Sequence, residues 1–253
     1  MNQEAVPIEQ HIAGIAALNE PARRALYLHI VTQGGDVRRD QAAQALGMPR
    51  SVAAFHLDKL VDEGLLEAHY KRLSGRRGPG AGRPSKLYRR SRRQFQVSLP
   101  PRSYELAAQL FARGLQASGS APAVAAINDV AHDFGEGLGS EARQLAGPNS
   151  DAERLLDAAE VLLNACGFEP YRDADEEIRL RNCPFRPLST EYRDLVCGMN
   201  LSIMRGVVDG LEMSGVEAVL DPQPETCCVV FRQMKPAVER DTSSTSVAEK
   251  VTP

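Results

Sequence analysis

Cysteine is the residue type in this sequence with the clearest potential for site chemistry. Of the 253 residues, five are cysteines, and Cys183 and Cys197 lie fourteen positions apart in the stretch RNCPFRPLSTEYRDLVC. Cys227 and Cys228 are adjacent further along, and Cys166 comes earlier. Thiolates bind Zn(II), Cu(I) and iron–sulfur clusters, whereas unreactive cysteines pack as small apolar residues. Both interpretations, a metal or redox site and a structural core, are open.

The spacing of these cysteines limits which of them can share a site. If the cysteines form a metal or redox site, three or four thiolates would converge there: Cys183, Cys197, one of Cys227 and Cys228, and, as the fourth, Cys166. Adjacent residues of a strand point to opposite faces, so only one of the pair 227/228 is expected at a given site. Cys166 ends an apolar helical pattern, which favours a core position for it. The sequence has no CxxC motif, and no histidine is paired with a cysteine at metal-ligand spacing.

Composition indicates an ordinary globular chain, with 43% hydrophobic and 25% charged residues. There is no run of 18 apolar residues, so we expect no transmembrane helix and no membrane partner. The stretch MNQEAVPIEQ lacks the basic and apolar regions of a secretory signal, so we expect a cytoplasmic protein with reduced thiols. An odd number of cysteines does not suggest a disulfide framework.

Charge is distributed unevenly along the chain. Residues 1–100 contain sixteen Lys or Arg against nine Asp or Glu, whereas residues 101–253 contain fourteen against twenty-four. Within residues 64–95 the basic residues outnumber the acidic ones by ten to one. This asymmetry predicts a nucleic-acid-binding N-terminal part joined to an acidic part with another role.

The N-terminal pattern predicts the elements that would present these basic residues. Helices are expected over 15–33 and 37–47, and the spacing of Ala53, Leu57, Leu60 and Val61 predicts a third helix with one buried face. A strand, the Gly-rich loop 74–85 and a returning strand follow. Helix, short helix, helix and basic hairpin form the pattern of a winged helix-turn-helix domain.

Such a domain places the third helix in the DNA major groove and the hairpin tip on the backbone or minor groove. An arginine at the start of the helix can pair with guanine or with phosphate. Val52 and Phe55 lie off the buried stripe, so one of them is a candidate contact to a thymine methyl; packing under the hairpin is the alternative for Phe55. The predicted DNA-binding residues are Arg50, Ser51, Ala54, His56, Lys59, Arg76, Arg77, Arg83 and Lys86.

The second half of the sequence predicts an α+β arrangement. Helical spacing covers 101–118, 122–146 and 151–165, an alternating stretch follows, a long helix is predicted over 189–215, and two strands surround a Pro-containing turn. We therefore predict an α+β protein with a winged helix-turn-helix domain at 1–98, a helical dimerisation segment at 99–149, a sensing domain at 150–235 and a disordered tail at 236–253.

Several stretches carry a family resemblance. SVAAFHLDKLVDEGLLE and GRPSKLYRRS resemble the recognition helix and wing of ArsR-like winged-helix transcription regulators, and GFEP, RNCPF, LVCGMN and CCV resemble the SufR group of iron–sulfur-responsive repressors. The resemblance implies a homodimer, a palindromic DNA operator, repression, and an effector domain with an iron–sulfur cluster. Cys183 and Cys197 match two of the family's four cluster cysteines, whereas Pro170 and Glu212 stand where the other two would fall.

Two other functions are open from the sequence. One is a winged-helix regulator that responds to a small organic effector, with purely structural cysteines. The other is a thiol-dependent enzyme with an attached basic domain. The sequence contains no P-loop, GxSxG, HExxH or dinucleotide-binding motif, so we expect a protein that is not an enzyme.

Overall fold

The computed structural model describes residues 7–72, 84–100, 102–224 and 226–234. The chain forms two compact units, Met1–Arg102 and Ser103–Pro253. Both units combine helices with antiparallel strands, which confirms the predicted α+β class. Across the described ranges, no helix has the length and apolar character needed to cross a membrane. The predicted disordered tail lies outside the described residues.

The first unit contains four helices and a three-stranded antiparallel sheet in its described part. The strands lie in the order β1, β3, β2. The elements are α1 (Ile8–Ala17), α2 (Pro21–Gln33), β1 (Val37–Arg38), α3 (Arg39–Ala45), α4 (Arg50–Asp62), β2 (Leu66–Lys71) and β3 (Ser85–Arg90).

The helix predicted over 15–33 is in fact two helices. α1 ends at Ala17, and α2 begins after Glu20, whose carboxylate accepts hydrogen bonds from the backbone N–H groups of Ala22 and Arg23. Pro21 occupies the first position of α2, where its missing N–H costs nothing. The Glu20 cap and Pro21 together start a second helix within the stretch that the apolar pattern predicted to be a single helix.

The core of the first unit includes the apolar stripe predicted for the third helix, with Val61 of that stripe partly buried. The buried side chains of α4 are Ala53, Leu57 and Leu60, which have no exposed surface. They pack with Leu26 and Ile30 of α2, which are at most 1% exposed. α4 follows α3 after a short turn at Gly47, whose φ of 61° suits glycine. The buried stripe fixes the rotation of α4 about its axis, so the opposite face is presented to solvent.

The second unit holds five helices and a four-stranded antiparallel sheet within its described residues. The strand order is β4, β5, β7, β6. The elements are α5 (Tyr104–Ser118), α6 (Ala121–Ala146), α7 (Ala152–Ala165), β4 (Pro170–Arg172), β5 (Ile178–Leu180), α8 (Arg186–Glu191), α9 (Arg193–Gly210), β6 (Val216–Leu220) and β7 (Val229–Gln233). The helix predicted over 189–215 is therefore divided into α8 and α9, which meet at Tyr192.

Helices α6 and α9 pack with their backbones in close contact. Gly135 and Gly139 of α6 face Gly206 and Gly210 of α9, and a methyl group on any of the four would collide with a backbone carbonyl of the other helix. Glycine is required here because the helices approach more closely than larger side chains permit. This contact fixes α9, the helix that carries Cys197.

An ion-pair network holds the β4–β5 hairpin against the end of β6. The side chain of Arg179 is 12% exposed; its guanidinium donates to Asp173 at 2.6 Å and to Asp221 at 2.7 Å. Glu177 also accepts from Arg179, at 2.9 Å. The network orders the strand that leads directly to Cys183.

Candidate functional site

Four of the five cysteines of the second unit come from three separate segments of the chain and meet beside α9. Cys183 lies between β5 and α8, Cys197 lies near the start of α9, and Cys227 and Cys228 lie just before β7. Backbone hydrogen bonds fix the last two, because Cys227 N–H donates to Leu180 O at 2.9 Å and Cys228 O accepts from Asp221 N–H at 2.8 Å.

The four thiols form two pairs. Cys183 hydrogen bonds with Cys227, and Cys197 hydrogen bonds with Cys228. The hydrogen bond from Cys227 lowers the pKa of Cys183, with help from the Phe185 N–H, whereas the same hydrogen bond and burial raise the pKa of Cys227. Burial, together with the bond to Cys228, raises the pKa of Cys197. The opposite directions of the two pKa shifts favour the negative charge on Cys183 and the proton on Cys227.

The expectation that only one of Cys227 and Cys228 faces a given site assumed that both lie on a regular strand, but β7 begins at Val229. Both side chains contact α9, Cys227 through Asn200 and Cys228 through Arg193. Each is paired with a different cysteine, Cys227 with Cys183 and Cys228 with Cys197. Cys166 takes no part in either pair; it is the C-terminal cap of α7 and packs against the apolar core.

The two positions at which the resembling family has cysteines hold no thiol and serve structural roles. Pro170 begins β4 and pairs with Leu180. Glu212 forms an ion pair with Arg143 of α6. The two remaining thiols of the site are Cys227, beside Cys183, and Cys228, beside Cys197.

Asn200 is a polar residue of the thiol site that sequence reasoning did not single out. It is 2% exposed, and its Nδ2 donates to Cys227 Sγ at 3.1 Å. Its Oδ1 is also buried and has no hydrogen-bond partner among the described residues. A buried unpaired amide oxygen is costly, because it is an acceptor with no N–H or O–H donor within reach. The sequence signal was an asparagine interrupting the apolar stripe of α9 at Val196, Ile203 and Val207.

The outer pair borders an open cleft of about 320 Å³. Nη2 of Arg193 lies 3.8 Å from Cys228 Sγ, so a cation stands at the mouth of the thiol site. The cleft is lined by Arg193, Asp194, Cys197, Gly198, Leu220, Pro222 and Cys228. Small molecules can reach the outer pair through it, whereas Cys227 of the inner pair is 4% exposed.

The two-pair arrangement limits which thiolate cofactor fits. In the described part of the chain, no three cysteine sulfurs lie within 4.8 Å of one another. The sulfurs of four thiolates bound to one zinc ion at about 2.3 Å each would all lie closer than that, so the thiols are arranged here as pairs and not as one tetrahedral set. A two-iron cluster takes two cysteines at each iron and matches two separate pairs.

The first unit presents the predicted recognition face on α4. Arg50 and Ser51 at its start are exposed and Ala54 is partly exposed. The guanidinium of Arg50 lies 2.6 Å from the carboxylate of Asp40, with both side chains more than half exposed. An exposed pair of this kind contributes only about 0.2–1 kcal/mol, so phosphate or guanine can replace Asp40.

The two predicted lysines also have acidic neighbours. Lys59 lies 2.6 Å from Glu63 one turn along α4, and Lys86 of β3 lies 2.6 Å from Asp58, which also accepts from the buried Tyr88 hydroxyl at 2.9 Å. These contacts hold Lys86 at the junction of α4 and the hairpin.

His56 differs from the other predicted DNA contacts. Its side chain is 13% exposed and lies 3.5 Å from Glu20, the cap of α2. This contact joins α4 to α2 inside the unit and leaves little of the imidazole for a ligand. Arg76, Arg77 and Arg83 of the hairpin tip lie outside the described residues. The flanking Tyr70, Lys71 and Arg72 are exposed.

A further cluster lies on α6. His132, Asp133 and Glu136 each place one potential ligand atom within 4.8 Å of the others, and His132 Nε2 lies 2.8 Å from Asp209 of α9. No ligand role is predicted from the sequence for any of these three residues. Two of the three are exposed carboxylates, and the contact of His132 with Asp209 accounts for the histidine as a link between the helices.

Comparison of the chain with protein-family models, with curated proteins and with solved structures finds no match. The function must therefore be inferred from the two sites themselves.

Proposed function

We propose that this protein is a homodimeric transcription regulator whose first unit is a winged helix-turn-helix domain that binds duplex DNA. The observation that carries the proposal is the setting of α4. Its Ala53–Leu57–Leu60 stripe is buried, it follows α3 after a tight turn, and it leaves Arg50 and Ser51 exposed at its N-terminus. A helix held in this way enters the major groove with its first residues toward the base edges.

The β2–β3 hairpin supplies the second contact in this proposal. Lys86 and Arg89 lie on β3, and Lys71 and Arg72 lie at the end of β2, so basic residues flank the hairpin tip on both sides. Phosphates would compete with Asp58 for Lys86 and with Glu67 for Arg89, which are paired at 2.6 Å and 2.9 Å. Repression is the expected sign of regulation, by the family resemblance alone.

Titration of the full chain with fluorescent duplex DNA at several salt concentrations tests this proposal. Affinity should fall steeply with salt, with a logarithmic slope of about −0.9 for each phosphate neutralised. Arg50→Ala should cost about 1–3 kcal/mol of binding free energy and relax selectivity at one base position. Arg205→Ala, an exposed arginine of α9, is the matched control and should bind like the parent chain.

Two results would refute DNA binding as the function. One is a folded dimer with no salt-sensitive association with any duplex. The other is an equal effect of Arg50→Ala and Arg205→Ala, which would place the contact elsewhere than α4.

The four thiols of the second unit are the proposed sensing site. Cys183, Cys227, Cys197 and Cys228 would hold an iron–sulfur cluster of the two-iron type, with one pair at each iron, and the Asn200 amide would donate a hydrogen bond to the Cys227 sulfur. Such a cluster would supply redox chemistry that responds to oxidants or to iron supply. A small organic effector in the cleft beside Arg193 is the second candidate.

A further inference from the structure

We infer that Phe55, together with Val52, reads thymine methyl groups in the DNA major groove, so that the operator contains thymine at a fixed position in each half-site. The inference rests on the proposed DNA binding and adds to it the base chemistry that α4 selects. It accounts for the exposure of two apolar side chains, for which neither phosphate contacts nor base contacts of Arg50 give a reason.

Phe55 and Val52 form a small apolar patch on the exposed face of α4. Phe55 is 68% exposed and Val52 is 39% exposed. They are three residues apart and therefore lie on the same side of the helix. The neighbouring Ala53 and Leu57 point into the core, so the exposure of Phe55 follows from the rotation of the helix and not from loose packing.

The immediate surroundings of Phe55 leave most of its ring uncovered. Its described aromatic contact is an edge-to-face contact with His56, with ring centroids 5.3 Å apart, and His56 is in turn held at Glu20. A phenyl ring left in water forgoes the free energy that burial of its apolar surface would give. Phe55 is the sixth residue of α4, whose residues Ala53, Leu57 and Leu60 are buried. Its exposed ring therefore indicates a surface that a ligand covers.

Charge favours DNA as that ligand. The N-terminal half of α4, RSVAAFHL, contains Arg50 and no acidic residue, and the acidic residues of the helix begin at Asp58. The positive end of the helix dipole lies at the same end. An apolar patch beside a cation and a helix N-terminus matches the major groove, where negative phosphates border the base edges.

Among the four bases, thymine alone presents a methyl group in the major groove, and apolar side chains such as phenylalanine contact it. Uracil pairs with adenine as thymine does but lacks the methyl group. Replacement of thymine by uracil therefore removes the proposed contact and leaves every hydrogen-bonding group in place.

The experiment begins with selection of bound sequences from a random duplex library by the full chain. Each thymine of the selected duplex is then replaced by uracil in turn. Binding of the parent chain should weaken about fourfold at one or two positions per half-site, equivalent to about 0.8 kcal/mol for one buried methyl-sized group. Phe55→Ala should bind thymine and uracil duplexes equally at one of those positions, the one that Phe55 contacts, and Leu28→Ala, at a 53% exposed site on α2, should keep the preference at all of them.

The outcomes separate this inference from the proposed function. Failure to enrich any duplex, or binding without salt dependence, refutes DNA binding itself. Salt-sensitive binding in which no uracil substitution matters, or in which Phe55→Ala keeps the thymine preference, refutes the methyl contact alone. Loss of thermal stability in Phe55→Ala without a change in base preference would show that the ring packs within the protein. Phe55→Leu, which retains apolar contact, should preserve part of the preference.

Discussion

At the scale of single residues, the thiol site shows how neighbouring groups give identical cysteine side chains different pKa values. Cys183 accepts a hydrogen bond from Cys227, so negative charge is favoured on Cys183 and disfavoured on its buried partner. Cys197 and Cys228 border the cleft with Arg193 instead. Cys227 is the buried member of the four, whereas Cys183, Cys197 and Cys228 are partly exposed. Oxidants can therefore reach one thiol or more of each pair.

Purification without oxygen tests the residues assigned to the cofactor. The parent chain should contain about two irons and two acid-labile sulfides per chain and absorb visible light through thiolate–iron charge transfer. Cys183→Ser should lose most of this iron because one pair is broken. Cys166→Ser, which alters a cysteine outside both pairs, should retain it.

A colourless parent chain without bound metal would contradict the cluster and favour the organic effector or a metal-free thiol switch. Equal iron loss in Cys183→Ser and Cys166→Ser would indicate that the substitutions act through folding.

The residue types of the site could be predicted from the sequence, but not their pairing. Cys183 and Cys197 were identified by their spacing and by resemblance. The pairing of Cys227 with one and Cys228 with the other depends on the irregular backbone before β7, which no local pattern reveals. Asn200 was missed because its importance lies in burial, and burial is set by the packing of α9.

At the scale of elements, the contact between α6 and α9 determines where the thiol site can form. Four glycines let the two backbones meet, and α9 carries both Cys197 and Asn200. Close packing of this kind tolerates little added volume, because the atoms that would have to move belong to backbone. The contact should therefore be sensitive to a single methyl group.

Two glycine-to-alanine substitutions on α6 separate packing from helix propensity. Gly139→Ala should lower the free energy of unfolding by at least about 1–3 kcal/mol, because its Cβ would collide with backbone of α9. Gly137→Ala has open space around its Cβ and should raise that free energy by up to about 1 kcal/mol through helix propensity.

Urea unfolding followed by circular dichroism measures both free energies. Equal stabilities of the two variants would show that α6 and α9 can separate slightly without cost, which would contradict a close backbone contact between them.

Apolar periodicity predicted most helices and both pairs of strands in the second unit, yet it missed two helix breaks. The helix predicted over 15–33 divides at Glu20 and Pro21, where a cap competes with the periodic pattern. The helix predicted over 189–215 divides at Tyr192, which is buried with Ala112 and Val196 in a separate small core. In both places a local contact ends the helix although the apolar periodicity of the sequence continues.

At the scale of the whole molecule, two helices of the second unit carry apolar side chains that the described residues leave exposed. Within α5, all of which is described, only Ala112 is buried, while Leu110 and Phe111 are 60% and 78% exposed. On α6, Val130 and Phe134 are 70% and 55% exposed, one turn apart. Grouped exposure of this kind marks an interaction surface, and in the proposed function the occupant is a second copy of the chain.

Leu110→Glu combined with Phe111→Glu should convert the dimer into a folded monomer, as measured by sedimentation velocity and circular dichroism. The reason is that two buried carboxylates would oppose the apolar contact between copies. Val161→Glu, at a 64% exposed position of α7, is the control and should remain dimeric. Because a palindromic operator places its half-sites about 34 Å apart or a multiple of this, the monomer should bind it about a hundredfold more weakly or worse. A parent chain that sediments as a monomer, or a double variant that stays dimeric, would show that these faces serve another purpose.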